Sequence, residues 1–531
     1  MIRSSLVFGG WTMVSRLMGF ARDIVATAYI GASATIAGDA YNTALSFPNL
    51  FRRIFAEGAF AAAFVPAYSR TLQEKGEAEA DRVATDAMAT MTAITTVLTV
   101  IAIVAMPWLM RAINPGFIDT PEKFDLAVLL TRISMPYLPA MTIVALLSGV
   151  LNARGRFVVS AVAPTILNLF MLIAILPMRD PEAAALAASW GVVAAGVGQV
   201  ALSVWGIRKA GARIILLRMP TLTPEVRSII LLAVPGAIAA SATQINVFVS
   251  QALSSQVDGA RSWLSTADRL YQLPLGMIGV AVGVALLPQL SRAVQAKDVE
   301  GQQTAMDDAT TFSLALTLPA AAALLAMPYF LIDALFTRGE FTDYDARNTA
   351  AALFHYGWGV PAFVLTRVFT PAFFARRDMK APMYFAIASV VVNIVLGVGL
   401  FYLIGVPGLA IATSAAAWAN VVLMATTLWR RNTWRPGADA VRRLTKVLVA
   451  SVVMGLVLLV AAANRGLLEA PVDGVTGGHG GKELAVLVVS GLGALIYFAL
   501  LFATRAVTVG EVKRALRGRR GGSLPAGSEG G

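Results

Sequence analysis

Fourteen mostly apolar stretches succeed one another along this chain, at 5–30, 39–70, 81–112, 123–150, 157–177, 183–207, 224–255, 264–295, 301–336, 344–374, 381–403, 408–429, 441–462 and 484–505. A helix that spans a bilayer needs about 20 such residues. In hydrocarbon every backbone N–H and C=O must find its partner inside the segment or a closed barrel, so apolar runs of this length are helices there. The composition agrees. The chain is 57% hydrophobic and 14% charged, with mean hydropathy +0.70, whereas soluble domains carry about 25% charged residues. The expected fold class is an all-α polytopic membrane protein of 14 transmembrane helices. Several stretches exceed 30 residues and must tilt, bend or project. Pro48, Pro66, Pro136, Pro139, Pro274, Pro361 and Pro371 lie inside them and predict kinks.

Cysteine is absent, which excludes disulfides, cysteine-ligated metals and thiol nucleophiles. The two histidines, His355 and His479, are far apart in sequence and do not suggest a metal site. A net charge of +12 could point to nucleic acid, but in a membrane chain basic residues gather in cytoplasmic loops. They do so here. Arg208, Lys209, Arg213, Arg218 and Arg227, then Arg430, Arg431, Arg435, Arg442, Arg443 and Lys446, fall on the side of the N-terminus. The other side holds Arg111, Lys123, Arg179, Arg261, Arg338, Arg347, Arg465 and Lys482. Both termini are therefore expected in the cytoplasm. The first 15 residues resemble a signal peptide, but Arg16 and Arg22 interrupt the run and no small-residue cleavage site follows. A retained first helix is expected. The tail 514–531 is rich in Gly, Arg and Ser and is expected to be disordered.

The chain also repeats. AFVPAYSR at 63–70 returns as ALLPQLSR at 285–292, and ARGRF at 153–157 returns as ARRDMK at 375–380. Asn168 pairs with Asn393 and Pro136 with Pro361 at nearly the same offset. The repeat predicts two six-helix lobes, 1–210 and 220–430, inserted the same way up around a central cavity. The last two helices, in 440–506, fall outside it.

The first two apolar stretches carry Arg16, Arg22, Asp23, Asp39, Arg52, Arg53 and Glu57. A charge at the centre of a spanning helix costs about 2.5–3.5 kcal/mol on insertion scales. Such groups need a wet, protein-lined place to face. Arg16 lies roughly 17 Å into the first helix and Arg52 roughly 20 Å into the second, at 1.5 Å per residue. In the second helix Asp39, Asn42, Ser46, Arg53 and Glu57 fall on one face, with Asn49 at its edge. This stripe is either a ligand face or a polar seam between helices. Arg53 and Glu57, four apart, also suit a simple pair. Arg52 lies off the stripe, but a kink at Pro48 would change which of Arg52 and Arg53 points inward. Arg22 and Asp23 sit nearer the outer face and also suit an ion pair. In the eighth segment Ser262, Ser265, Arg269, Gln272 and Gly276 share a face, with Asp268 adjacent. Asp86, Asp307, Asp308 and Asp333 lie near helix ends and are expected to be solvated. Arginine stays charged and can donate two parallel hydrogen bonds to a phosphate, so these positions favour an anionic, phosphorylated substrate. No Walker A sequence, Ser–His–Asp set, HExxH or paired-carboxylate arrangement stands out, and neither an enzyme nor a cofactor is expected.

The stretches SRLMGFARD (15–23), GDAYNTALSFPNLFRRIFAEGAFAAAFVP (38–66) and STADRLYQLPLGMIGVAVGVALLPQLSR (265–292) closely resemble the MurJ (MviN-type) lipid II flippases. That family belongs to the multidrug/oligosaccharidyl-lipid/polysaccharide exporter superfamily. The resemblance covers residues 1–505. It implies an alternating-access transporter in the bacterial cytoplasmic membrane, driven by membrane potential or an ion gradient. The implied substrate is the undecaprenyl-pyrophosphate-linked peptidoglycan precursor. It also implies membrane lipids and cell-wall synthesis and division proteins as partners, no nucleic acid, and a lipid-tail groove on the last two helices. By motif match it implies substrate-binding roles for Arg16, Arg22, Arg52, Arg269, Asp39, Glu57, Ser262 and Asp268, with Arg53, Asp23, Asn49 and Gln272 as secondary candidates. Two other readings remain at this point. A cation-coupled exporter of amphipathic molecules predicts a cavity dominated by acids. A non-transporting cell-wall scaffold predicts that cavity charges are dispensable.

Overall fold

The computed structural model describes residues 2–51, 59–216, 218–476 and 480–506. Among these residues there are nineteen α-helices and no strand. They are α1 (Ile2–Ile30), α2 (Ile36–Phe51), α3 (Ala59–Lys75), α4 (Glu77–Ile113), α5 (Pro121–Ser134), α6 (Tyr137–Ala153), α7 (Phe157–Ile175), α8 (Pro181–Lys209), α9 (Pro224–Ser254) and α10 (Ala260–Gln295). There follow α11 (Val299–Ala326), α12 (Pro328–Phe336), α13 (Asp343–Gly357), α14 (Val360–Phe374), α15 (Lys380–Ile404), α16 (Pro407–Arg430), α17 (Ala438–Ala463), α18 (Arg465–Thr476) and α19 (Gly481–Ala503). Nine helical stretches among the described residues are long and apolar enough to cross a membrane. The tail expected to be disordered lies outside the described residues, as do Arg52, Arg53 and Glu57.

Proline explains where single apolar stretches become two helices. The stretch 123–150 divides at Met135–Pro136, between α5 and α6. The stretch 301–336 divides at Met327, whose backbone (φ −137°, ψ 45°) leaves the helical region immediately before Pro328. A proline ring disfavours helical geometry in the residue before it. The stretch 344–374 divides at Trp358–Gly359, just before Pro361. Pro136 and Pro361 are repeat partners, so both halves of the chain break their helix at matched places.

The chain forms two compact units. The first is Met1–Arg269 with Leu335–Thr349 and Ile394–Leu409. In it α7 packs against α1 and α8, α2 against α5, and α3 against α9. Its largest buried cluster mixes alanines (Ala26, Ala40, Ala44, Ala184, Ala188) with methionines (Met106, Met135, Met171). Small residues let membrane helices approach closely where lipid provides no hydrophobic drive. Gly38 serves a different close approach, that of the connection between α1 and α2, because a Cβ there would lie 2.6 Å from the carbonyl oxygen of Gly31 and 2.7 Å from Cα of Ala32. Both obstacles are backbone. Gly38→Ala is expected to destabilise by about 1–3 kcal/mol, as overpacked cores do. The check is heating in detergent followed by size exclusion, where the variant should lose its monodisperse peak at a lower temperature than the parent.

The second unit takes Leu270–Ala334, Ala350–Asn393 and the described residues from Ala410 onward. There α11 packs against α14 and α17, and α17 against α19. The Tyr497 hydroxyl of α19 donates to the Ala315 carbonyl of α11.

Polar side chains fasten the connecting segments inside each unit. In the first, Arg154 Nη2 lies 2.7 Å from Asp81 Oδ1, and Arg154 Nη1 donates to the Ala210 carbonyl at 3.4 Å. Asp81 Oδ2 accepts the Arg213 N–H (2.7 Å), Thr85 accepts the Ile215 N–H (3.3 Å), and Thr90 donates to the Thr221 carbonyl (3.1 Å). Arg218 pairs with Asp86 at 3.1 Å. Residues 213–216 and 218–221 are thus laid along α4. In the second unit Arg376, the repeat partner of Arg154, donates to Gln302 at 2.6 Å and to the Thr433 carbonyl at 3.5 Å. Asp307 accepts the Trp434 indole N–H and the Gly437 N–H. Two carboxylates expected in solvent are in fact buried. Asp86 is 2% exposed, and Asp333, also 2% exposed, is bridged by Arg465 and Lys482. Their cations arrive from segments distant in sequence, which helix-end position does not reveal.

Candidate functional site

The site is built on α1, α2 and the first turns of α10. Arg22 is 7% exposed. Its Nε and Nη2 donate to Asp23 Oδ1 at 3.1 and 2.6 Å, and its Nη1 donates to Asn168 Oδ1 at 3.0 Å. Asn168 in turn donates from Nδ2 to the Ser15 carbonyl at 2.9 Å. One side chain of α7 therefore ties Arg22 to the turn of α1 that carries Arg16. The second oxygen of Asp23 faces α10, where Arg269 Nε lies 3.4 Å away. A single carboxylate thus sits between two arginines from two helices. Arg16 is exposed. It precedes Asp23 by seven residues, two turns, and so shares the Asp23 face of α1. Asp23, Thr27, Tyr41, Asn42, Ser265 and Arg269 line a cleft of about 30 Å³, room for about one water.

A second polar cluster lies at the start of α10, before Ser265 and Arg269 in the helix. Asp39 is wholly buried. Its Oδ2 accepts the Lys123 ammonium at 3.0 Å and the Gly259 N–H at 2.8 Å. Its Oδ1 accepts both the N–H and the hydroxyl of Ser262 at 3.1 Å. Lys123 also reaches Asp258 at 2.7 Å and sits over the Phe117 ring. Asn42 donates to the Ser262 hydroxyl, and the buried Arg261 donates to the Thr43 and Ser46 hydroxyls. The α2 stripe formed by Asp39, Asn42 and Ser46 therefore faces the start of α10 as a seam between helices. Of its members only Asn42 also lines the cleft.

The structure brings together Arg22, Asp23 and Arg269 around the cleft, and Asp39 with Ser262 in the buried cluster. Asp268 and Asn49 are half-buried on α10 and α2, and Gln272 is exposed on α10. The candidates Arg52, Arg53 and Glu57 lie outside the described residues, and with them the choice between the two arginines. Sequence reasoning missed Lys123, Asp258 and Arg261 as partners of the site, counting Lys123 and Arg261 as charges of the outer loops. The one available signal was Asp39 itself, an acid in an apolar helix that requires a cation somewhere.

Residues 26–466 match the sequence profile of the lipid II flippase MurJ. The chain belongs to the MurJ family. A probable lipid II flippase MurJ of Rhizobium tropici is 38% identical over 529 residues, covering 98% of this chain and 97% of that protein. The corresponding protein of Rhizobium meliloti (strain 1021) is 37% identical over 540 residues, covering 100% and 99%. A lipid II flippase MurJ of Burkholderia cenocepacia is 30% identical over 511 residues, covering 94% and 97%. Among solved structures, a lipid II flippase MurJ in an inward closed conformation superposes with TM-score 0.74 at 23% identity, covering 93% of this chain and 98% of that one. An inward-facing MATE-family multidrug transporter superposes with TM-score 0.63 at 15% identity, covering 83% and 98%. The fold of this MurJ-family chain is thus shared with the wider exporter superfamily. Like its family, the chain is a polytopic membrane transporter and not an enzyme.

Proposed function

We propose that this chain carries the undecaprenyl-pyrophosphate-linked peptidoglycan precursor from the cytoplasmic to the periplasmic leaflet of a bacterial inner membrane by alternating access. Both termini lie in the cytoplasm, and two six-helix lobes, 1–210 and 220–430, rock about the site. The observation that carries the reading is the sharing of Asp23 between Arg22 and Arg269. Asp23 holds the position between the two guanidiniums that a substrate anion would take. A pyrophosphate offers more oxygens and more charge than one carboxylate, and guanidinium binds it through parallel hydrogen bonds. It draws Arg269 away from Asp23 while Arg22 stays anchored by Asn168. Arg16, on the same face of α1, extends the basic surface toward the cytoplasm. The cleft is too small for a disaccharide-pentapeptide, so binding requires the walls to part. The Asp39–Lys123–Ser262 cluster holds the outer end closed meanwhile.

The lipid tail stays in the bilayer. A largely apolar groove of about 340 Å³ between α17 and α19, lined by Val449, Ala450, Val453 and Leu500 with Arg442 and Lys446 at one end, supports the tail-groove role. With no nucleotide-binding motif in the chain, the cycle is reset by membrane potential or an ion gradient. Moving one charge through 100 mV provides about 2.3 kcal/mol. Cell-wall synthesis and division proteins are the natural recipients of the product. The test is replacement. Cells depleted of their own flippase and supplied with this chain should grow and keep labelled lipid II in the outer leaflet. Lysis with the chain present in the membrane at normal amount would overturn the proposal.

A further inference from the structure

Asp345, in the first turn of α13, uses its two oxygens differently. Oδ2 accepts the N–H and the hydroxyl of Thr342, at 3.0 and 2.9 Å, while the Thr342 hydroxyl accepts the Asp345 N–H at 3.3 Å. That is a reciprocal capping box, and it accounts for an acid at this position. It does not account for Oδ1. That oxygen accepts the N–H of Ser33 at 3.0 Å, the Ser33 hydroxyl, and the indole N–H of Trp263 at 2.8 Å. These partners lie 312 and 82 residues away in sequence. The carboxylate is wholly buried, and among the described residues no cation pairs with it. A buried carboxylate without a cation depends on its hydrogen bonds.

The surroundings extend the same fastening. The turn between α12 and α13 is pinned to the end of α1, where the Glu340 N–H donates to the Ala28 carbonyl at 2.8 Å. Gly339 has φ +56°, and a Cβ there would lie 2.2 Å from the same carbonyl oxygen. Trp263 is 2% exposed and meets the Tyr344 ring edge-on at 5.7 Å. Trp263 follows directly on Ser262, which Asp39 holds. The first turn of α10 is therefore gripped by two buried carboxylates, one from α2 and one from α13.

We propose that Asp345 is a positioning residue of the transport cycle: together with Asp39 it fixes the first turn of α10, and the outer end of the site opens only when the three bonds to its Oδ1 break. This rests on the alternating-access reading above. The two can be tested apart because the chain has no cysteine, so Ser265→Cys provides a single thiol in the cleft. Labelling by a membrane-impermeant thiol reagent is measured from outside on whole cells and from inside on inverted vesicles. Trp263→Phe and Ser33→Ala each remove one donor to Oδ1 and spare the capping box. Each should raise outside labelling several-fold and lower inside labelling. A merely loosened fold would raise both. Thr342→Ala weakens the cap alone and should leave both rates at the parental value. Asp39→Asn serves as the reference for an opened outer end. If Asp39→Asn raises outside labelling while Trp263→Phe and Ser33→Ala do not, Asp345 is only a helix cap and the proposal is wrong. If Asp39→Asn itself leaves labelling one-sided and unchanged, alternating access fails, and this proposal fails with it.

Discussion

Arg269→Ala should abolish support of growth in flippase-depleted cells while leaving the amount of protein in the membrane nearly normal. The Arg269 side chain is 43% exposed and meets Asp23 at 3.4 Å. Partly exposed pairs of this kind contribute about 0–1 kcal/mol to stability, so the fold tolerates the loss. A charge-assisted hydrogen bond to an anion is worth about 1.5–3 kcal/mol, and losing it weakens substrate capture roughly ten- to hundredfold. Arg269→Lys keeps the charge without the fork and should fall between the two. Arg22→Ala should behave differently. That guanidinium is buried and bound to Asp23 and Asn168, so its removal leaves Asp23 with Arg269 alone, frees the Asn168 amide, and should lower the protein level as well as transport. The comparison is made at matched expression, with outer-leaflet lipid II as the readout. Wild-type labelling in Arg269→Ala would remove the anion clamp from consideration.

Lys123→Met should be the most damaging single change outside the cleft. Lys123 is 3% exposed and Asp39 is not exposed at all. Removing one partner of a buried ion pair leaves the other charged without compensation, at a cost of about 3–5 kcal/mol. The double variant Asp39→Asn, Lys123→Met removes both charges and retains an acceptor for Ser262. It should recover most of the lost stability, since replacing both partners of a buried pair is often close to neutral. It should still hold the outer end less firmly, because the Gly259 N–H then faces the amide nitrogen, itself a donor, and the bonds from Ser262 no longer meet a full charge. Thermal unfolding in detergent provides the stability measurement for both variants. A thermal midpoint in Lys123→Met equal to the parent would show that Asp39 does not depend on that ammonium.

The helices were legible because their signal is local. A run of apolar residues announces a membrane helix whatever surrounds it, and each of the fourteen stretches contains helix among the described residues. The short α18 escaped notice, since RGLLEAPVDGVT is neither long nor continuously apolar. Arg16, Arg22 and Arg269 were legible for the opposite reason, as charges on an apolar background. Their partners were not. Asn168 stood out only as a repeat marker, although its amide is what holds Arg22. Lys123 read as an ordinary outer-end lysine, and Asp345 lay within an expected helix with nothing to mark it. Partnership across 84 or 312 residues is a property of the tertiary fold, and no spacing rule within one helix encodes it.

The segment formed by residues 213–216 and 218–221 bears on how such a chain could be divided. It is attached to α4 by side chains, through Asp81, Thr85, Asp86 and Thr90, and not merely by continuity of the backbone. A cut just before it, at Gly211, falls where an added side-chain carbon would meet no atom within 4 Å. The C-terminal fragment would then begin with a segment that docks on the N-terminal one. A chain split at this point would thus give two polypeptides that carry their own means of finding each other.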